Sequence, residues 1–407
     1  MGGFASSGYD IDNAMKTDAF NFFTPQRLVF GAGTLAQLPG ICLGFGRQIL
    51  VVTGKSSFLS TPAWQSLEKG WQEKGCGVYQ VSVSGEPCPD DVDSAVAMHR
   101  NRDIDMVVAI GGGSVLDAGK AISAMMCETG PVMDFLEGVG TCSPDGKKLP
   151  FIAVPTTSGT GSEATKNAVI SRPGPDGFKK SLRHNNFVPD IAVVDPALTL
   201  TCPPDITAAC GMDALTQLLE AYVSVKASPV TDALCLSGLK DFGPALLRAV
   251  ENDPEDIHAR TRLSYGAYMS GLALANAGLG TVHGFASVIG GLTRMSHGHV
   301  CGTLLAETTK AVIDRLGLSG KDHPGLARYA AAAKAAGLAA PDLSHDRACT
   351  ALIDALFLWT EKTAMPGLGA YGITKDQVLP IAQKTGQKNT PARLGVQELA
   401  AILEKRI

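Results

Sequence analysis

Asp213 and Gln217 lie four residues apart in the segment Gly211-Met212-Asp213-Ala214-Leu215-Thr216-Gln217, whose spacing is helical, so both side chains fall on one helix face. Downstream, Val282-His283-Gly284 and Ser296-His297-Gly298-His299 gather three of the chain's eight histidines beside glycines. One carboxylate and two imidazoles from separate segments can hold a divalent metal and leave a position open for substrate. The same residues also read as a solvated helix carboxylate and ordinary loop histidines. His299 fits the loop reading better than a ligand role.

Two other segments carry a different chemistry. Met106-Val107-Val108-Ala109-Ile110 runs into Gly111-Gly112-Gly113-Ser114 and then into a helical pattern through Asp117 and Lys120. A strand that ends in glycines and opens a helix aims free N–H groups and a positive dipole end at one spot. That arrangement suits phosphate, and the missing side chains let a pyrophosphate approach. The spacing is not G-x-G-x-x-G, so a plain tight connection is the other reading. Val154-Pro155-Thr156-Thr157-Ser158-Gly159-Thr160-Gly161-Ser162-Glu163 follows a second apolar strand and is dense in hydroxyls. It can bond a ribose, an amide or a phosphate, or it can cap a helix. Two such turns on one sheet point to a nucleotide.

The elements that must position these residues change character along the chain. Ile49–Thr53, Val78–Val83, Met106–Ile110, Phe151–Val154 and Ile191–Val194 read as buried strands, with helices over Trp64–Lys74 and Val92–Arg100 between them. Strands alternating with helices predict βαβ units and a mostly parallel, Rossmann-like sheet covered on both faces. Ala/Leu-rich helical segments then take over: Ala209–Ser224, Pro229–Glu251, His258–Ala277 and Leu326–Ala335. The expected organisation is a flexible arm over 1–18, an α/β dinucleotide-binding domain over 19–200 and an all-α domain over 201–407, with surface loops at 139–148 and 173–178. The chain of 407 residues, 45% hydrophobic with a net charge of −4, suits two such cores and shows no basic stripe for nucleic acid. Ten cysteines scattered without a C-x-x-C, no apolar leader and no bilayer-length apolar run predict a cytoplasmic protein with reduced thiols and no membrane partner.

Gly111 to Ser114 with Asp117 and Lys120 resembles the GGGSxxDxxK turn of the iron-containing (group III) alcohol dehydrogenase family, and Pro155 to Glu163 is similar to its PTTxGTGSE element. Gly211 to Thr216, Val282-His283-Gly284 and His297-Gly298 match its metal-site segments in order. Phe22-Phe23-Thr24-Pro25 through Phe30-Gly31-Ala32-Gly33 looks like its first strand. The resemblance runs from about residue 20 to the C-terminus. It implies hydride transfer between NAD(P)(H) and a small alcohol or aldehyde in a cleft between the domains, in a homodimer or higher homo-oligomer. It also implies Fe²⁺ or Zn²⁺ on Asp213, His283 and His297. Gln217 stands where the family usually has a fourth ligand, a histidine, and Ser287 where many relatives carry another. An amide oxygen at Gln217 is a weaker donor than imidazole, so either the metal is held less firmly or water takes the place of Gln217.

The resemblance further implies a cofactor held by Gly54, Ser56, Ser57, Gly111, Gly112, Gly113, Ser114, Asp117, Thr156, Thr157, Thr160, Asn167 and Lys179, the last within one register of Lys180. NAD-preferring relatives commonly carry an Asp at the Gly54 position, where it bonds the ribose 2′-OH and repels a 2′-phosphate. Gly54 beside Lys55, Ser56 and Ser57 predicts NADP, with NAD possible. Leu274, Asn276 and Phe285 are expected to line the substrate cleft. The rival readings are a metal-independent reductase similar to maleylacetate reductase, a lyase similar to dehydroquinate synthase, and a catalytically silent binding protein. The lyase would need several basic residues near the metal, and the segments around it supply only Arg294.

Overall fold

The computed structural model describes residues 19–172, 174 and 177–407, so the arm expected over 1–18 lies outside the described residues. Six parallel strands form one sheet: β1 (Arg27–Phe30), β2 (Gln48–Gly54), β3 (Gly77–Val83), β4 (Met106–Gly111), β5 (Phe151–Pro155) and, after a hairpin, β8 (Ile191–Val194). Their order is β1-β8-β5-β4-β2-β3. Successive residues of a strand point to opposite faces. Leu50 and Val52 of β2, Val107 and Ala109 of β4, and Phe151 and Ala153 of β5 enter one apolar core. Their neighbours Ile49, Val51, Met106, Val108, Ile110, Ile152 and Val154 enter the core on the other side. That double burial is why these strands read as unbroken apolar runs rather than alternating ones.

The helices around the sheet are α1 (Leu38–Cys42), α2 (Pro62–Glu73), α3 (Pro89–His99) and α4 (Gly113–Met125). The hairpin pairs β6 (Asn167–Arg172) with β7 (Phe178–Arg183) in an antiparallel register that sets Ser171 opposite Lys179. This departs from the loop expected at 173–178, because Phe178 already belongs to β7. Polar residues dominate β7, and β6 holds only three apolar residues in a row, so neither arm shows an alternation.

From Pro204 onward every described element is helical: α5 (Pro204–Tyr222), α6 (Pro229–Leu239), α7 (Phe242–Leu247), α8 (Ile257–Ala277), α9 (Thr281–Leu292), α10 (His297–Leu318), α11 (Pro324–Ala335), α12 (His345–Lys362), α13 (Lys375–Lys384) and α14 (Val396–Glu404), with short 3-10 and π turns. The expected fold class, an α/β domain followed by an all-α domain, is the one observed. The single helix expected over Pro229–Glu251 is instead broken at Asp241, which sits in the left-handed region at φ 55°. Pro244 supplies the reason: it has no N–H to continue a helix and falls in the first turn of the new one. No single described helix is long and apolar enough to cross a membrane.

α5 is the axis of the helical domain. Nearly every residue from Thr207 to Tyr222 is buried, Asp213, Gln217 and Glu220 included. Three polar side chains at i, i+4 and i+7 on a buried helix form a stripe that water does not reach, and each needs a partner there.

Candidate active site

The cluster builds outward from α5. Asp213 is 1% exposed. Its Oδ1 lies 3.4 Å from His283 Nε2 and 3.6 Å from His297 Nε2, yet has no hydrogen-bond partner among the described residues. His283 comes from the first turn of α9, and His297 opens α10. A fourth side chain joins them: Cys301, one turn after His297 on α10, sets Sγ 3.8 Å from both imidazole Nε2 atoms. Donor atoms of Asp213, His283, His297 and Cys301 all lie within 4.8 Å of one another.

Glycines make this convergence possible. A Cβ on Gly284 would stand 1.9 Å from the Gly386 carbonyl oxygen, and one on Gly298 would stand 2.3 Å from the Ala209 carbonyl oxygen. Each His-Gly pair therefore marks a place where a helix presses its backbone against a neighbouring segment, and the preceding histidine is delivered by that approach.

Glu220, two turns along α5 from Asp213, fixes the orientation of His283. Its carboxylate accepts hydrogen bonds from Val282 N at 2.7 Å and Gly280 N at 3.0 Å, satisfying the start of α9, and lies 2.7 Å from His283 Nδ1. With Nδ1–H donated to Glu220, the Nε2 lone pair is aimed into the cluster. Burial opposes charge on His283, but Cys301, Asp213 and Glu220 around the ring raise its pKa well above the ordinary imidazole value. Burial also opposes charge on Asp213, and there the His297 and His283 rings keep the carboxyl below its usual range. Burial lowers His297 to about 4, which leaves a neutral ring able to donate a lone pair. Burial pushes the Cys301 thiol up to about 12. An unpartnered buried carboxylate oxygen facing two imidazoles and a sulfur is a donor set that fits a divalent cation.

Gln217, the expected fourth ligand, is placed differently. Its Oε1 accepts a hydrogen bond from Ser270 Oγ at 2.8 Å, and its Nε2 faces Asp213 Oδ2 at 3.4 Å. Cys301 went unnoticed in the sequence, although its position four residues after His297 on a helix was the available signal. His299 accordingly stays out of the cluster, its Nδ1 lying 2.9 Å from Ser296 Oγ at the start of α10. Ser287 is exposed.

The expected cofactor residues gather at the carboxyl edge of the sheet. Gly54 ends β2, the glycine turn ends β4, and Thr156 follows β5. Strand order reverses between β2 and β4, and ligands of such sheets bind at that crevice. No side chain caps α4 at Gly112, so its first N–H groups face the crevice opening. The two turns also interlock. Thr156 N donates to the Gly111 carbonyl at 2.9 Å, and a Cβ on Gly113 would meet Thr160 Oγ1 at 2.6 Å. Thr157 faces Gly112, whose Cβ would lie 3.5 Å from it. Lys55, Ser56 and Ser57 are exposed beyond Gly54.

Three expected cofactor residues are engaged within the protein. Asp117 accepts hydrogen bonds from Ser162 Oγ at 2.5 Å and Val169 N at 3.1 Å, bracing one turn against the other. Asn167 gives its carbonyl to Lys120 Nζ at 2.9 Å. Lys179 is nearly buried and ion-paired with Glu86, whereas Lys180 is exposed, which settles which of the two faces inward. The cleft expectations need correcting at two positions. Phe285 is fully buried on the core face of α9, and Asn276 is consumed by the backbone N and O of Phe23. Leu274 is half-buried.

Lys120 is the buried keystone of the second turn. Its ammonium donates to Ser162 O, Ser162 Oγ, Thr165 Oγ1 and Asn167 O at 2.8–3.1 Å. Burial lowers its pKa to about 8 against the pull of Asp117 and Glu163, so it stays charged at neutral pH. Lys120→Met strips four acceptors of their donor and is expected to cost about 3–5 kcal/mol of stability in urea unfolding. A loss below about 1 kcal/mol would show that water replaces the ammonium there.

A parallel sheet with its turns interlocked at one edge thus lies against a helical domain that carries a buried donor cluster. The family described as iron-containing alcohol dehydrogenase matches residues 25–196, and its C-terminal counterpart matches residues 207–407. The chain belongs to the iron-containing alcohol dehydrogenase family. It is 37% identical over 276 residues to Long-chain-alcohol dehydrogenase 1 of Geobacillus thermodenitrificans, spanning 68% of this chain and 69% of that one. It is 34% identical over 325 residues to the NAD-dependent methanol dehydrogenase of Bacillus methanolicus, spanning 77% and 84%. The crystal structure of a 1,3-propanediol oxidoreductase superposes with a TM-score of 0.85 at 28% identity, over 96% of this chain and 100% of that one.

Proposed function

We propose that this alcohol dehydrogenase transfers a hydride between NADPH and a small alcohol or aldehyde. In this reading Asp213, His283 and His297 would hold a divalent iron or zinc ion. The observation that carries this reading is the run of α5. Cys210 touches the second turn, where a Cβ on Gly159 would lie 2.7 Å from Cys210 Cβ, and Asp213 follows within one helical turn. The nicotinamide end of a dinucleotide seated on the strand-end turns therefore meets the donor cluster. When bound, such an ion supplies Lewis acidity toward the substrate oxygen. Glu220 keeps the His283 ring oriented, Asp117 and Lys120 keep the two turns in register, and the buried walls of α5 and α10 exclude water. Ser287 is exposed where an imidazole could relay a proton, so a proton released at the cluster would pass to water there.

The donor cluster and the family match weigh against a metal-independent reductase, a lyase or a silent binding protein. All ten cysteines are unpaired, which supports a cytoplasmic location. The open sheet edge at β1, with Leu28 38% exposed, supports assembly as a homodimer or larger.

The test is a panel of short alcohols and aldehydes with NADPH and NADH, after loading with Fe²⁺, Zn²⁺ or no metal. Higher kcat/KM with NADPH, dependent on metal, is expected. Gly54→Asp puts a carboxylate where Gly54 has open space, the nearest side-chain atom to its Cβ being Ser57 Oγ at 3.9 Å. That variant is expected to move preference toward NADH by about 10-fold or more through repulsion of the 2′-phosphate. Equal or better turnover of the parent with NADH would sink the cofactor assignment, and turnover unchanged by chelation would sink the metal.

A further inference from the structure

The family pattern places the fourth donor one turn after Asp213, and in this chain that residue is Gln217. Gln217 is engaged within the protein, its amide nitrogen facing Asp213 Oδ2 at 3.4 Å. Its oxygen is held on the Ser270 hydroxyl of α8. Across the cluster, Cys301 brings a sulfur to within 3.8 Å of both imidazole nitrogens. We propose that Cys301 Sγ is the fourth metal ligand of this enzyme, and that the donor set has moved from α5 to α10: Asp213, His283, His297 and Cys301.

Three observations carry the assignment. The first is spacing. Metal–ligand bonds of about 2.0–2.3 Å in a tetrahedral arrangement put donor atoms roughly 3.3–3.8 Å apart. The measured separations are 3.4 and 3.6 Å from Asp213 Oδ1 to the two rings, and 3.8 Å from Cys301 Sγ to each ring. The second is the unpartnered Asp213 Oδ1, buried and aimed into the same space. The third is that His297 and Cys301 lie at i and i+4 on α10, so one helix presents both donors on one face.

The chemical consequence is a change in charge and softness. Asp213 with neutral nitrogen or amide donors leaves a divalent site with a net positive charge. Adding a thiolate to that carboxylate makes the site formally neutral. Sulfur shifts preference toward softer ions, so zinc and cobalt are favoured over magnesium or manganese.

This proposal rests on the metal reading above, and cobalt substitution separates the two. The purified full-length enzyme is stripped, loaded with Co²⁺, and followed by visible and near-ultraviolet absorption with elemental analysis. Bound cobalt with a sulfur-to-cobalt charge-transfer band in the near ultraviolet is expected. Cys301→Ser is expected to lose that band while keeping visible cobalt bands from Asp213 and the histidines, and to bind the metal about 10-fold or more weakly. Gln217→Ala is expected to leave both band and stoichiometry unchanged. Bound cobalt without the charge-transfer band, or a band that survives Cys301→Ser, overturns the thiolate ligand and leaves the metal site standing. Metal lost from Gln217→Ala also overturns it, by returning the ligand to α5. Failure of the parent enzyme to bind cobalt overturns the metal reading and this inference together.

Discussion

His283→Ala is expected to abolish metal retention and to reduce turnover by about 10³-fold or more, while the affinity for NADPH stays within about twofold of the parent. The imidazole is one of the two nitrogen donors facing Asp213 Oδ1, and nothing nearby can replace it. A Lewis acid at a reacting oxygen contributes several kcal/mol, and about 4 kcal/mol corresponds to three powers of ten in rate. The fold should survive because Glu220, which loses only the ring as a partner, keeps its hydrogen bonds from Val282 N and Gly280 N. The nucleotide turns lie on the other domain and are untouched. Elemental analysis, steady-state kinetics and NADPH fluorescence titration together read the result. Turnover near the parent level would refute the cluster as the catalytic centre.

Gly298→Ala is expected to cost more than its single carbon suggests: about 10²-fold in kcat, together with weaker metal binding. The added Cβ would stand 2.3 Å from the Ala209 carbonyl oxygen and 2.6 Å from its carbon, both backbone atoms that cannot swing aside. Relief requires α10 to back away from α5 by about 1 Å, and misplacement on that scale costs on the order of 10² in rate. Gly302, one turn on, also packs closely, its Cβ position lying 2.5 Å from Met365 Sδ and 2.8 Å from Met212 Cβ. Since α5 carries Asp213 while α10 carries His297 and Cys301, the shift opens the cluster along its middle. Circular dichroism and thermal unfolding check that the fold persists. A variant with parent kinetics and metal content would show that the helices do not need this closeness.

Much of this architecture was legible because its strands are buried on both faces and its turns carry distinctive residues. Ile49–Thr53 and Met106–Ile110 announce themselves as apolar runs, and the glycines after Ile110 mark a strand-to-helix turn. Asp213, His283 and His297 were legible as residue types, and the structure brings all three together. What escaped depended on partners distant in sequence. Cys301 looked like one of ten scattered thiols until α10 was seen to aim it beside His297. Glu220 carried no signal in the sequence, yet it joins three groups more than 50 residues away. Phe285 and Asn276 were misjudged because helical spacing alone does not reveal which face a neighbouring segment covers. The β6–β7 hairpin escaped because the short apolar run Ala168–Ile170 and the Lys/Arg-rich β7 leave no alternating period to read.

The two domains meet at Gly161 and Gly271, where a Cβ on either residue would strike the other's backbone, at 2.5 Å from Gly271 Cα and 2.2 Å from Gly161 O. Side chains knit the same seam beside this contact: Ser158 Oγ lies 2.9 Å from Ser264 Oγ, and a Cβ on Gly159 would stand 2.7 Å from Cys210 Cβ. The turn after β5 is therefore pinned to α5 and α8, whereas Gly54 lies two strands, about 10 Å, further along the sheet edge. Any rocking of one domain on the other would displace Gly54 more than Thr160.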